Sequence, residues 1–278
     1  MQTEEITLKY KVTLLGDGGV GKTSLVKRFV HNEFADKYLK TLGTNIYSKE
    51  AMFYESGKPV KVVLQIWDMM GQRAFKSVIK SSLENSSGVF LVCDLTSLDT
   101  LNNLLYWIKI AFNNTQNVAF VFLGNKSDLE EIEFGYPALT SLSGCFKSPS
   151  FLTSAKSGSN VEAAFQMMAY QICQKRFVPA KEGFDFNIAE GSISPLVKAE
   201  DEIINTFCLA IGGLDKGMPM VQGIYKEWNV DITRPTKREL AMVIKHMLHH
   251  LAGTNNPKQA EVSLRLASIL SSLPDAPS

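Results

Sequence analysis

Hydrophobic residues over positions 8–178 follow two alternating patterns. Short apolar runs, typical of buried strands, are separated by longer segments in which apolar residues recur every three to four positions, as on one face of a helix. The predicted strands are Lys9–Leu15, Ile46–Tyr54, Val60–Trp67, Gly88–Leu95, Val118–Gly124 and Ser150–Thr153. The predicted helices are Lys22–Val30, Ala74–Glu84, Leu98–Asn113 and Asn160–Phe177. This alternation predicts an α/β fold with a doubly wound, six-stranded sheet.

Two details of the pattern predict how the strands pair. The second and third strands are joined by Glu55-Ser56-Gly57-Lys58-Pro59, which reads as a hairpin turn and predicts an antiparallel pair. The runs Gly88–Leu95 and Val118–Gly124 are almost continuously apolar, as expected of parallel strands buried on both faces. The sheet should therefore be mostly parallel with one antiparallel hairpin.

The pattern changes after residue 178. Residues 179–195 are rich in glycine, proline and serine, which predicts a linker. Residues 196–273 return to helical spacing and predict a small all-α bundle of three or four helices. The predicted organisation is an α/β domain over 1–178, the linker, a helical domain over 196–273 and a tail over 274–278.

Boundary signals place the helices of the second domain. Ser194-Pro195 matches an N-cap followed by proline at the first helical position. Thr236 and Glu239 have the spacing of a capping box. The helical segments run from Pro195 to the Gly212-Gly213 stop, over Met218–Trp228, from the capping box to Gly253, and onward from Asn256-Pro257.

Composition narrows the partners and the compartment. The chain has 278 residues, 45% of them hydrophobic, with a net charge of +1 and no long basic run, so a nucleic-acid partner is not expected. Its four scattered cysteines favour a reducing, cytoplasmic location. No apolar run has transmembrane length. Since Cys208 is the last cysteine and glycine does not follow Met1, we expect no lipid anchor, and membrane association only through a partner.

The stretch Gly16–Ser24 carries the strongest chemical signal. It fits Gly-x-x-x-x-Gly-Lys-Ser/Thr between a predicted strand and a predicted helix, the context in which this motif binds phosphates. Lys22 would reach the β- and γ-phosphates, and the Thr23 hydroxyl would ligate Mg²⁺. Backbone N–H groups of the loop would surround the phosphates. The predicted phosphate-binding residues are Gly18, Gly19, Val20, Gly21, Lys22, Thr23, Ser24 and Gly71.

A second motif follows the third predicted strand. Asp68 is placed to hold Mg²⁺, directly or through a water, and the N–H of Gly71 to bond a γ-phosphate oxygen. Gln72 is placed to orient an attacking water. Asp-x-x-Gly-Gln alone is a weak signal, but after a phosphate loop it predicts triphosphate hydrolysis.

Residues at the ends of the last two strands predict a preference for guanine. The carboxylate of Asp128 can accept both N1–H and N2–H₂ of guanine, a donor pair that adenine lacks. Asn125 can tie its loop to the phosphate loop, and the stem of Lys126 can cover the base. The Ala155 N–H, between Ser154 and Lys156, could bond guanine O6.

Together these motifs resemble those of the Ras superfamily of small GTPases, over roughly residues 8–178. Within it, the sequence is most similar to the Rab, Ran and septation-pathway GTPases. The resemblance implies that Thr41 is the switch threonine that ligates Mg²⁺, with Thr44 as a competing candidate, and that Phe34 packs against guanine. The sequence departs from the family's usual residues at Met69, Met70 and Arg73. These differences affect the expected partner surface more than the expected nucleotide binding.

The resemblance implies a switch that hydrolyses GTP slowly, with Mg²⁺ bound by Thr23, Thr41 and Asp68 and with Gln72, Lys22 and Thr41 in catalytic roles. It also implies a GTPase-activating protein, an exchange factor and effectors as partners, the activator supplying an arginine beside Gly18. Two alternatives remain open at this stage. One is an adaptor whose guanine nucleotide is structural, which the pairing of Thr41 and Gln72 argues against; the other is an ATP-hydrolysing enzyme.

The sequence leaves the role of the helical domain open. It could cover the switches as an intramolecular effector or lid, dimerise the protein, or dock on a membrane-bound partner. His246 and His250 lie four residues apart on one predicted helix, as metal ligands can. A polar helix face, or cations favoured by the helix dipole in the last turn, explains them better, because no carboxylate or cysteine cluster accompanies them.

Overall fold

The computed structural model describes residues 8–34, 43–55, 57–71, 75–178, 195–230, 235–253 and 257–273. Its strands are β1 (Leu8–Leu15), β2 (Thr44–Glu55), β3 (Lys58–Met69), β4 (Gly88–Asp94), β5 (Ala119–Asn125) and β6 (Ser150–Leu152). They form one sheet in the order β2-β3-β1-β4-β5-β6. The pairs that β1 makes with β3 and β4, and β5 with β4 and β6, are parallel, whereas β2 and β3 are antiparallel. The predicted sheet and its single hairpin are confirmed.

Helices cover both faces of the sheet. The helices that precede residue 178 are α1 (Lys22–His31), α2 (Lys76–Leu83), α3 (Leu98–Asn102), α4 (Leu104–Asn114), α5 (Tyr136–Cys145) and α6 (Val161–Cys173). Phe29 of α1 stacks on Phe165 of α6, within a core that includes Val121 of β5. Phe120 and Phe122, the strand residues on either side of Val121, instead contact Phe146, which follows α5. Successive strand residues therefore fill two opposite cores, as expected of a buried parallel strand.

Two helices differ from the sequence-based expectation. The helix predicted over Leu98–Asn113 is divided at Asn103, whose backbone N–H closes the end of α3 on Asp99. Helix α5 has no counterpart among the predicted helices. Its buried face consists of Leu139 and Ser143, too few apolar positions to produce a clear helical period.

Four further helices follow in the described part of the chain after residue 194. They are α7 (Pro195–Ile211), α8 (Leu214–Trp228), α9 (Lys237–Gly253) and α10 (Gln259–Ser271). The predicted capping box is present, with Thr236 donating its N–H to Glu239 Oε2 at 2.7 Å and accepting the Glu239 N–H at 3.2 Å. The N-cap expected at Ser194, the linker and the tail lie outside the described residues.

Helices α7 and α8 approach each other closely. A Cβ atom on Gly217 of α8 would lie 2.6 Å from both Cα and Sγ of Cys208 on α7. Only glycine fits there without a shift, which brings the two helix backbones together. The start of α8 at Leu214, rather than at Met218 as predicted, adds a first turn closed by the Gly217 N–H on the Gly213 carbonyl at 3.0 Å.

The chain divides into two compact units that do not follow the boundary at residue 178. The described residues of the first unit are 8–34, 46–55, 57–71 and 83–178. Those of the second are 43–45, 75–82 and the ranges that hold α7 to α10. The second unit thus combines the C-terminal helices with two short segments from earlier in the chain. None of the described helices is both long and apolar enough to cross a membrane.

Candidate nucleotide-binding site

The predicted phosphate loop lies between β1 and α1, at the carboxyl end of a central strand. Its backbone requires glycine at defined positions: Gly16 has φ +150°, and a Cβ atom there would lie 2.2 Å from the Val92 carbonyl oxygen. Gly21 has φ +98°, a conformation that L side chains rarely adopt. The Gly21 carbonyl accepts the Leu25 N–H at 2.9 Å, so the loop passes directly into the first turn of α1, which begins at Lys22. This geometry aims the helix N-terminus at the loop, as phosphate sites require.

Lys22 is buried inside the loop that it follows. Its Nζ donates to the carbonyl oxygens of Gly16 and Asp17, both at 2.8 Å. Burial lowers the pKa of Lys22 to about 8, and the nearby carboxylates of Asp68 and Asp17 oppose that shift. An anion entering the loop would therefore meet a desolvated donor whose charged form it would stabilise.

Asp17 braces the phosphate loop through its side chain, a role that sequence reasoning missed. One carboxylate oxygen accepts the Trp107 Nε1–H at 2.9 Å and the other accepts the side-chain amide of Asn103 at 2.6 Å. Asn103 lies at the division between α3 and α4, and Trp107 lies in the first turn of α4. The separation of about ninety residues leaves no local signal in the sequence.

Asp68 and Gly71 approach the loop from the end of β3. Asp68 is fully buried and lies opposite Leu14 in the β1–β3 register. A Cβ atom on Gly71 would lie 2.4 Å from the Asp17 carbonyl oxygen and 2.5 Å from the Gly18 nitrogen, so Gly71 packs directly on the loop backbone. The hydroxyl of Thr23, on the first turn of α1, and the carboxylate of Asp68 are oxygen donors of the kind that Mg²⁺ prefers. Thr41 and Gln72 lie outside the described residues.

Asn125 connects the phosphate loop to the loops predicted to bind the base. Its Nδ2 donates to the Val20 carbonyl at 2.9 Å, and its Oδ1 accepts the Ala155 N–H at 3.2 Å. Thr153 Oγ1 also donates to Oδ1, at 3.4 Å. With only 2% of its surface exposed, Asn125 forms a buried junction between three segments. Guanine O6 would have to share the Ala155 N–H with Asn125.

The charged residues of the base loops have defined partners. Lys126 forms an ion pair with Asp94 at the end of β4. Asp128 is exposed, and its Oδ1 accepts the Ser154 hydroxyl at 2.5 Å. Ser154 Oγ in turn accepts the Ser157 N–H at 3.0 Å, which fixes the direction of that hydroxyl. Ser154 therefore links the Asp128 carboxylate to the backbone of Ser157.

Arg28 is a second residue that sequence reasoning missed. Its Nε donates to the Ala155 carbonyl at 2.7 Å and a terminal nitrogen donates to the Lys156 carbonyl at 2.6 Å. The other terminal nitrogen contacts Asn32, which ends α1 in a left-handed conformation. Arg28 therefore anchors the loop 154–156 to α1. Phe34, two residues beyond Asn32, is 37% exposed.

The histidine pair on α9 has no metal-binding surroundings within the described ranges. His246 and His250 belong to no group of three or more His, Cys, Asp or Glu side chains there that could hold an ion. His246 instead packs against Trp228 of α8, with ring centroids 4.8 Å apart. This contact favours the interpretation of the pair as a helix face.

Known proteins resemble this chain over the residues that contain the candidate site. The Ras family model matches residues 11–174. Ras-related protein RIC1 of Oryza sativa subsp. japonica is 36% identical over 165 residues, which cover 59% of this chain and 80% of that protein. GTP-binding protein ypt1 of Schizosaccharomyces pombe is 34% identical over 168 residues, covering 60% and 81%. Ras-related protein RABA2d of Arabidopsis thaliana is 32% identical over 201 residues, covering 69% and 89%.

The matched range contains the phosphate loop, the end of β3 and both base loops. It ends before the four C-terminal helices begin. The chain therefore belongs to the Ras family, as a small GTPase of the Ras superfamily with a C-terminal helical extension.

Proposed function

We propose that this protein is a guanine-nucleotide switch that binds GTP and GDP with Mg²⁺ and hydrolyses GTP slowly. The observation that carries the proposal is the junction at Asn125. One amide side chain contacts both Val20 in the phosphate loop and Ala155 in the base loop. A ligand that fits these joined loops must carry phosphates at one end and a base at the other.

The choice of guanine rests on Asp128. Its carboxylate is exposed and is oriented by Ser154, so it can accept the N1–H and N2–H₂ donors that guanine presents together. Adenine offers no such pair, so it would lose both hydrogen bonds to this carboxylate. The Lys126 stem and the ring of Phe34 are proposed to cover the faces of the base.

Hydrolysis is proposed to depend on positioning and electrostatics. Lys22 and the loop N–H groups would stabilise the charge that develops on the phosphates, and Gln72 would orient the attacking water. Mg²⁺, held by Thr23, Thr41 and the Asp68 side of the site, would supply positive charge at the phosphate oxygens. A partner arginine in the space beside Gly18 would raise the rate by roughly 10³–10⁵.

The GTP-bound switch segments are proposed to recruit effector proteins, with an exchange factor and an activating protein controlling the cycle. We propose a cytoplasmic location, membrane contact only through such partners, and a helical domain that could also dimerise the chain. The α/β domain that binds the nucleotide is proposed to be residues 1–178, followed by the linker 179–195 and the helical domain 196–273.

Two measurements test the proposal. Nucleotide binding should favour GDP over ADP by a large factor, and Asp128→Ala should remove most of that preference, whereas Ala at the exposed neighbour Glu131 should not. Unchanged preference in Asp128→Ala would support an ATP-type enzyme. Single-turnover GTP hydrolysis should be slow in the wild type and slower in Gln72→Leu. If both proteins are equally inert and adopt one conformation with GDP and with a GTP analogue, the nucleotide is structural and the chain is an adaptor.

A further inference from the structure

The first turn of helix α2 is capped by a side chain from far along the sequence. Asp201 of α7 accepts the Ser77 N–H with Oδ2 at 2.9 Å and the Val78 N–H with Oδ1 at 3.1 Å. These are the second and third residues of α2, whose N–H groups have no partner within the helix. A carboxylate at a helix N-terminus satisfies such donors and also favours the helix dipole.

The cap is buried. Asp201 is 5% exposed, and Val78 is fully buried. Burial raises the pKa of Asp201, while its hydrogen bonds with Ser77 and Val78 act in the opposite direction. A buried carboxylate is costly unless it is hydrogen-bonded, so these two N–H donors are what makes its position on α7 tolerable.

Other contacts join the same elements of the second unit. Ser81, one helical turn beyond Val78, donates its hydroxyl to Asn205 Oδ1 at 3.0 Å. Asn205 lies four residues after Asp201, on the same face of α7. Two hydrogen bonds to the Asp201 carboxylate and one to the Asn205 side-chain amide therefore hold α2 along one turn of α7.

Helix α8 holds the second short segment, residues 43–45. Gln222 donates its side-chain amide to Asn45 Oδ1 at 2.9 Å. A Cβ atom on Gly43 would lie 1.6 Å from Met218 Cε, so the methionine packs directly on this glycine. Between them, the Thr44 hydroxyl lies 3.2 Å from the Ser82 hydroxyl and links the segment to α2.

Both held segments adjoin residues at the proposed triphosphate site, Thr41 for Mg²⁺ and Gln72 for the attacking water, and the stretches of chain around these two residues are called the switches here. Gly43 follows Thr41 by two positions, and the first helical residue Lys76 follows Gln72 by four. We propose that α7 and α8 are a built-in partner of the two switches, bound through the Asp201 cap and the Met218–Gly43 contact, and held more tightly with GTP than with GDP. This inference rests on the proposed function.

The direction follows from Gly71, which precedes α2 by a short stretch of chain. Gly71 packs on the backbone of Asp17 and Gly18. A γ-phosphate that accepts the Gly71 N–H would hold residue 71 at this place. Loss of that phosphate would free Gly71, which precedes the first residue of α2, Lys76, by five positions, and would remove this restraint on the chain that leads to the capped helix.

The test is hydrogen exchange at the Ser77 and Val78 amides of the full chain, with GDP and with a non-hydrolysable GTP analogue. Exchange should be at least about fivefold slower with the analogue, within the usual range of allosteric coupling. By reciprocity, Asp201→Ala should lower the ratio of analogue affinity to GDP affinity by a comparable factor. Glu202→Ala is the matched control, because that neighbouring carboxylate is exposed and lies 3.7 Å from Arg265 instead.

The comparison of two nucleotides on the wild-type chain needs no variant, and Gln222→Ala provides a second variant should Asp201→Ala not fold. Equal exchange in the two states, or faster exchange with the analogue, in a protein that binds both nucleotides would overturn the inference and leave the proposed function standing. An unchanged affinity ratio in a folded Asp201→Ala protein would also overturn it. A chain that binds neither nucleotide would overturn the proposed function, and the inference with it.

Discussion

The side-chain amide of Asn125 donates to the Val20 carbonyl at 2.9 Å, and the glycine next to Val20 makes this contact possible. A Cβ atom on Gly21 would lie 2.2 Å from Asn125 Nδ2. The phosphate loop and the base loop therefore meet at a point where the backbone of one admits the amide of the other. Any side chain at Gly21 would displace Asn125.

We expect Gly21→Ala and Asn125→Ala to weaken GDP binding by similar amounts. In the double variant, the two losses of binding free energy should not add. Both changes remove the same buried junction, whose hydrogen bonds are worth about 1–3 kcal/mol when one partner is left unsatisfied. A double-mutant cycle on GDP dissociation constants measures this. Gly57→Ala is the control, because Gly57, between β2 and β3, also has a positive φ, +76°, but has no atom within 4 Å of the added Cβ. Full additivity would show that the two residues act separately.

Arg28 offers a test of the base loop without touching a proposed ligand contact. Its guanidinium holds two successive carbonyls, those of Ala155 and Lys156, in a geometry that an ammonium cannot reproduce. We expect Arg28→Lys to speed GDP release several-fold, since the loop loses part of its anchor. Lys27→Arg, a charge-conserving change on the preceding residue, should leave the release rate unaltered. Equal rates in wild type and Arg28→Lys would mean that the guanidinium contacts do not limit the release of GDP.

The strands and the site motifs could be read from the sequence because each consists of residues that lie close together along the chain. The strands are short runs such as Gly88–Leu95, and the phosphate loop is nine consecutive residues, 16–24. The supporting contacts were missed because they are made across long separations. Asp17 meets Trp107 and Arg28 meets Ala155 only after the sheet has brought β1, β4 and β5 together. Thr41 and Gln72 lie outside the described residues, and their roles stay predictions.

The two units also could not be foreseen from hydrophobic periodicity. The pattern places a boundary near residue 178, since the composition changes there. It carries no sign that Asp201 would cap α2, because an aspartate on a helix face normally reads as a solvated charge. Burial of Asp201 is a tertiary property of α2 and α7 together.

Helix α8 contains two glycines with opposite expected responses to alanine. Gly217→Ala should destabilise the chain by about 1–3 kcal/mol, because its Cβ would lie 2.6 Å from Cys208 Cα and force the helices apart. Gly223→Ala should stabilise it by about 0.5–1 kcal/mol, since no atom lies within 4 Å and alanine favours a helix interior. Urea unfolding of the two variants measures both effects. A similar loss at both positions would contradict the close contact of α7 and α8.

Asp201 should impose a specific pH dependence on stability. Burial raises the pKa of Asp201 in the folded state above its ordinary value, an effect to which Glu202 adds and which the hydrogen bonds from Ser77 and Val78 oppose. The native state then binds more protons than the unfolded state, so this group's contribution to stability falls as pH rises from about 4 through the raised pKa.

Asp201→Asn keeps an acceptor oxygen for one N–H but does not titrate. The free energy of unfolding of the variant should therefore gain on that of the wild type as pH increases from about 4 to about 7. The slope of this difference is the diagnostic, because the lost acceptor adds an offset that does not depend on pH. A difference that stays constant between about pH 4 and about pH 7 would contradict a raised pKa of Asp201 and show that burial does not penalise its charge.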